Sequence, residues 1–179
     1  MSLTLVLRER TRDAHACAEQ ALDLPGRGRD RDGYAQVLRS LRSVYAPLER
    51  ELDAAEAARA VLPDWPARRK TGWLDDDLLA LGVPAPPDAD VASLHGAEQV
   101  VGVAYVLEGA TLGGALVGPL LAPGLPHRFF DAYGPGRGRM WRDFRRHVDG
   151  IGGLDEDAVV ASARWTFAAF TASCGAVPA

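Results

Sequence analysis

His15 shares a helical face with Arg8, Thr11, Arg12, Ala18, Glu19 and Leu22, at spacings of three, four and seven residues. Two arginines on its N-terminal side disfavour a further positive charge on the ring, which suits a neutral imidazole that ligates a metal. Glu19, one turn on, can accept the other ring N–H and orient the imidazole, the usual arrangement around a ligating histidine. The same residues also describe a solvated helix face, and spacing alone leaves both readings open.

A second set lies in Tyr105-Val106-Leu107-Glu108-Gly109-Ala110-Thr111-Leu112-Gly113-Gly114. Glycine inside a helix costs up to about 1 kcal/mol relative to alanine. Gly109, Gly113 and Gly114 therefore need a steric reason: close packing against another helix, or a flat ligand on bare backbone with freedom to kink around it. Taken together the two sets suit haem, with iron on His15, the macrocycle against the glycine helix and the propionates toward Arg8 and Arg12 through charge-assisted bonds. His95, His127 and His147 have structural or exposed positions as the simpler reading. Cys17, two residues from His15, falls on another face.

LRERTRDAHACAEQ resembles the N-terminal helix of haem oxygenases, whose axial histidine sits in an L-[RK]-x-x-T-[RK]-x-x-H pattern, and YVLEGATLGG resembles the distal helix of the bacterial branch. The resemblance extends through the helix carrying Trp141, Phe144 and Val148 to the aromatic final helix. It implies an all-α fold in which haem is sandwiched between the N-terminal helix and a glycine-rich kinked helix. The implied reaction is oxidative opening of haem to biliverdin with release of carbon monoxide and ferrous iron. Haem is then both cofactor and substrate, O2 the oxidant, and the electron donor a ferredoxin, flavodoxin or reductase; a phytochrome-type photoreceptor is a possible biliverdin acceptor. By the same resemblance His15 is the axial ligand, Arg8, Thr11 and Arg12 lie near the haem edge, and Glu19 lies beside the imidazole. Gly109, Gly113 and Gly114 are the distal glycines. Arg142, Arg145 and Arg146 are candidates for a further propionate contact, with Arg145 favoured. Mammalian members carry an aspartate three residues before the paired glycines, where this chain has Ala110. Glu108, two positions earlier, points roughly 200° away on a helix and does not substitute for it directly. Backbone groups with water, or an arginine from elsewhere, are left to support oxygen activation.

Positioning such residues requires a helical frame, and the composition suits one. The chain has 179 residues, 47% hydrophobic and 25% charged, with a net charge of −4. That implies one globular domain over residues 1–179 and excludes a polybasic nucleic-acid binder. Lys70 is the only lysine and Ile151 the only isoleucine. Two distant cysteines, Cys17 and Cys174, exclude a disulfide scaffold or a cysteine-ligated cluster. With no signal peptide fitting the N-terminus, a reducing cytoplasm is expected.

The periodicity predicts a first helix from about Ser2 to Asp23. A second, capped by Asp32, carries the apolar stripe Tyr34, Val37, Leu38, Leu41, Val44, Tyr45, Leu48 and Leu52, with a kink or break at Pro47. Further helices are expected over Thr71–Leu81, within Ser93–Leu121, over Pro126–Tyr133, Gly138–Val148 and Leu154–Ser173. Val100–Leu121 has the length of a membrane span, but Glu108 near its centre and the lack of a flanking Lys/Arg cluster argue against one. Two rivals to an oxygenase are a haem protein that stores or transfers haem intact and a non-haem member of the same helical fold, either a di-iron oxidase or a thiamine-degrading hydrolase. No E-x-x-H spacing supports the di-iron case.

Overall fold

A computed structural model describes residues 1–176; Val177, Pro178 and Ala179 of the expected 1–179 domain lie outside the described residues. Among the described residues all regular structure is helical. The helices are α1 (Leu3–Arg10), α2 (Arg12–Leu22), the single turn α3 (Leu24–Arg27), α4 (Arg31–Ala54), α5 (Glu56–Val61), α6 (Thr71–Ala80), α7 (Ala97–Val117), α8 (Arg137–Asp149) and α9 (Glu156–Ala176).

The expected first helix is two helices that meet at Thr11, where φ is −108° and ψ 7°. The cause is local. The Thr11 hydroxyl donates to the Leu7 carbonyl at 2.8 Å, beside the Thr11 N–H at 2.9 Å, and such back-bonding bends helices. The cap of α4 is Asp30, not Asp32: its carboxylate accepts the Gly33 N–H at 2.8 Å. The predicted stripe on α4 is buried throughout. Pro47 does not break the helix. Proline leaves the carbonyl four residues earlier without its helical donor, and here the Ser43 carbonyl accepts the Ala89 N–H at 2.8 Å. The proline-rich connector after α6 is thereby tied along α4, helped by Arg42 and Arg50 on Asp88.

Pro126–Tyr133 is a series of turns, not a helix. The Asp77 carboxylate takes the N–H groups of Arg128 and Phe129, both at 3.0 Å, and Tyr34 donates to the Pro126 carbonyl at 2.7 Å. Tyr133 then turns left-handed at φ +64°. Side chains of α4 and α6 thus satisfy backbone groups that a helical ladder would otherwise pair.

One apolar core joins these elements. Its axis is α9, against which α2, α4 and α7 all pack. The N-terminal half of α7 buries Val100, Val101, Val103, Ala104 and Leu107 completely. Gly102 lets α7 and α9 close: a Cβ there would stand 2.6 Å from the Val159 carbonyl. No helix of the described residues is long and apolar enough to cross a membrane.

Candidate functional site

His15 stands on α2 with its side chain 53% exposed. Its Nδ1 lies 3.4 Å from a Glu19 carboxylate oxygen, and its ring meets Phe167 of α9 edge-on, with centroids 5.5 Å apart. The imidazole is therefore oriented by a carboxylate and an aromatic ring, with about half of its side-chain surface open to solvent. Arg8 and Arg12 are exposed on either side of the Thr11 bend. The Thr11 side chain is buried and occupied by the Leu7 carbonyl.

The second arginine group lies on α8. Arg145 reaches the Thr4 hydroxyl on α1 at 3.4 Å, and Thr4 is fixed in turn by Asp149. Burial pushes the Tyr105 phenol up, while the charges of Arg8 and Arg145 draw it back, so both arginines carry their charge toward Tyr105. Arg146 points elsewhere, toward Asp143 at 3.1 Å, and Arg142 is exposed.

The glycines of α7 divide between the two steric reasons. A Cβ on Gly109 or Gly113 would meet nothing within 4 Å, whereas one on Gly114 would collide with the Phe130 backbone carbonyl. Gly109, Ala110, Gly113 and Leu116 form an open apolar strip at helical spacing, with Leu116 75% exposed. Both the helix bearing this strip and the helix bearing His15 rest on α9.

Sequence reading missed what Glu108 touches. It is 1% exposed, accepts from Arg68 Nη1 at 2.5 Å and from the Tyr133 hydroxyl at 2.8 Å, and is ion-paired with Lys70 Nζ. Arg68 also holds Asp64 through two bonds of 2.7 Å. Lys70 Nζ donates to the Arg68 carbonyl at 2.8 Å and lies 5.2 Å from the Tyr133 ring centroid. Glu49, also buried, accepts the Lys70 N–H at 2.6 Å. Burial pulls the Lys70 ammonium below its ordinary value against the pull of Glu108. It opposes the Arg68 charge too, but Asp64 and Glu108 outweigh it and hold that guanidinium up. Burial likewise lifts the Glu49 carboxyl. Two oddities in the sequence pointed here: a single lysine, and a glutamate inside an apolar helix. Among the described residues no three His, Cys, Asp or Glu side chains converge as a metal site.

The chain is similar to known heme oxygenases in sequence and in fold. A heme oxygenase of Xanthomonas campestris pv. campestris is 37% identical over 102 residues, covering 55% of this chain and 60% of that protein, so the match spans about three fifths of the relative's length. Among solved structures, the heme oxygenase of Neisseria meningitidis, determined with NO and CO bound, superposes with a TM-score of 0.83 at 18% identity, covering 97% of this chain and 90% of that one. The heme oxygenase of Leptospira interrogans gives 0.80 at 22% identity, covering 99% and 100%. Heme oxygenase-1 of the cyanobacterium Synechocystis, in complex with heme, gives 0.71 at 17% identity, covering 98% and 92%. These structural likenesses carry the fold. The sequence profile of the heme oxygenase family matches residues 1–174, and on that match the chain belongs to the heme oxygenase family.

Proposed function

We propose that this chain opens haem oxidatively to biliverdin, carbon monoxide and ferrous iron, using O2 and electrons from an external donor. The observation that carries this reading is the pairing, on one supporting helix, of an exposed, carboxylate-oriented imidazole with an apolar strip whose two glycines face open space. The residues fit the group. His15 would hold the iron through Nε2, with the Glu19 carboxylate favouring the proton on Nδ1. Arg8, Arg12 and Arg145 would receive the propionates. Gly109 and Gly113 would let the macrocycle lie against backbone, and Ala110 and Leu116 would keep water off its face. Bound haem would supply both the iron at which O2 is activated and the ring that is opened. The protein's part is orientation and restricted space, with no side-chain nucleophile. The arginine rim suits an acidic electron donor such as a ferredoxin or flavodoxin, and a phytochrome-type photoreceptor is the proposed acceptor of the product. The free thiols of Cys17 and Cys174 support a reducing, cytoplasmic setting.

One observation favours a second reading, in which haem is bound and kept intact. Ala110 carries no acid, and Glu108 is turned inward to Arg68 and Lys70. A hemin titration followed by reductant under air separates the two. The expected result is a histidine-ligated spectrum that decays to biliverdin; a spectrum that forms and persists unchanged supports storage. His15→Ala should lose the histidine-ligated spectrum and nearly all turnover while keeping its helical content, and added imidazole should restore part of the spectrum. A variant with wild-type spectrum and turnover would overturn the ligand assignment.

A further inference from the structure

We infer that Glu108, Arg68, Lys70 and Tyr133 act together as positioning residues that set the rotation of α7 about its axis, and so keep the Gly109–Gly113 strip turned outward. The strip's use as a haem face rests on the function proposed above.

Nearly every side of α7 is apolar, so burial of hydrophobic surface does not choose which face turns inward. The close approaches at Gly102 and Gly114 and a single charge do choose. Left without cations in the core, the Glu108 carboxylate would be strongly disfavoured, as any isolated buried ion is. Only one rotational setting brings it to Arg68 and Lys70. With Glu108 turned in, Gly109 follows about 100° round the helix and Gly113 about 140° away, which is where the structure has open space. Buried polar pairs of this kind are best known for specifying register rather than for adding stability.

The cations are themselves fixed. Arg68 ends a 3-10 turn, Trp65–Arg68, and is bidentate to Asp64. The Lys70 and Thr71 N–H groups are held by Glu49 of α4. Tyr133 closes the cluster from the loop before α8. One further bond from another helix grips the same stretch of α7: Tyr45 of α4 donates to the Leu107 carbonyl at 3.1 Å. The identity of Lys70 is informative in a chain whose other cationic side chains of this class are all arginine. A compact ammonium fits between the Glu108 carboxylate, the Arg68 carbonyl and the Tyr133 ring, whereas a planar guanidinium is larger and directs its donors differently.

The test uses the ligand-free protein and its hemin complex. Lys70→Met with Glu108→Leu removes the pair but leaves Arg68 balanced by Asp64. If the cluster positions α7, the double variant keeps its helical content, yet amide hydrogen exchange at Gly109–Gly114 rises at least tenfold, the hemin spectrum shifts and more than one biliverdin isomer forms. Wild-type exchange in this variant would overturn the proposal and leave the cluster a stabilising feature only. Should the double variant fail to fold, Lys70→Arg decides: positioning predicts faster exchange at the same amides, and simple charge balance predicts none. Acylation offers a check on this variant series, because Lys70 is the only lysine: Glu108→Gln should expose it to labelling that wild type resists. If wild type neither binds hemin nor forms biliverdin, the functional reading fails, and exchange in the ligand-free protein still settles the rotation.

Discussion

Arg8 and Arg12 differ in company although both are exposed. Arg8 shares the surroundings of Tyr105 with Arg145, while Arg12 stands beyond the Thr11 bend. A charge-assisted bond to a carboxylate contributes about 1.5–3 kcal/mol when shielded and less at a wet edge. Arg8→Ala with Arg12→Ala should therefore weaken hemin binding about tenfold, since roughly 1.4 kcal/mol is one order of magnitude, and should alter the biliverdin isomer ratio measured by chromatography. Unchanged affinity and an unchanged ratio would place the propionates on the Arg142–Arg146 side. At this scale His15, Glu19 and the arginines were legible because all but Arg145 are local on one helical stretch. The edge contact with Phe167 was not, since it joins opposite ends of the chain.

At the scale of elements the glycines of α7 have separable roles. Gly109→Ala adds a methyl into open space and removes the conformational cost of glycine, so its thermal midpoint should hold or rise, by up to about 1 kcal/mol in stability. Gly114→Ala drives a methyl into the Phe130 carbonyl, a backbone atom that does not rotate away, and should lose about 1–3 kcal/mol despite the better helix former. Gly113→Leu should keep the fold yet weaken hemin binding. Equal midpoints for the Gly109 and Gly114 variants would contradict this division. Periodicity showed α7 and α4 plainly. It misplaced a helix at Pro126–Tyr133, and of the kink or break expected at Pro47 the break does not occur, because in both places hydrogen bonds come from distant residues, Asp77 and Ala89.

Across the whole molecule, all four tyrosines have phenols raised by burial: Tyr34, Tyr45, Tyr105 and Tyr133. Each holds its proton more tightly when folded. Their contribution to stability is complete below their unfolded value of 10.0 and is lost as pH rises above it. Every phenol that ionises only on unfolding lowers stability by up to about 1.4 kcal/mol per pH unit there, with the partly exposed Tyr105 contributing less. Lys70 has the opposite sign: its lowered value adds stability as pH rises toward 10.5 and nothing beyond, so it offsets one phenol only between pH 10.0 and 10.5. Tyrosinate absorbance should therefore stay low past pH 10 and appear in one step with loss of helical circular dichroism. Gradual ionisation of all four phenols before unfolding would show that they are accessible.

The chain by itself determined the helical class, the stripe of α4, the histidine face of α2 and the glycine run of α7, because each depends on residues within one or two turns of each other. Tertiary structure alone decided which glycines serve packing and which face open space, since that depends on where Phe130 and α9 come to lie. It also decided the fate of Glu108. Its acid was visible as an anomaly in an apolar helix, but its cations, Arg68 and Lys70, lie about forty residues earlier in a short segment without periodicity, and only the folded chain brings them to the same carboxylate.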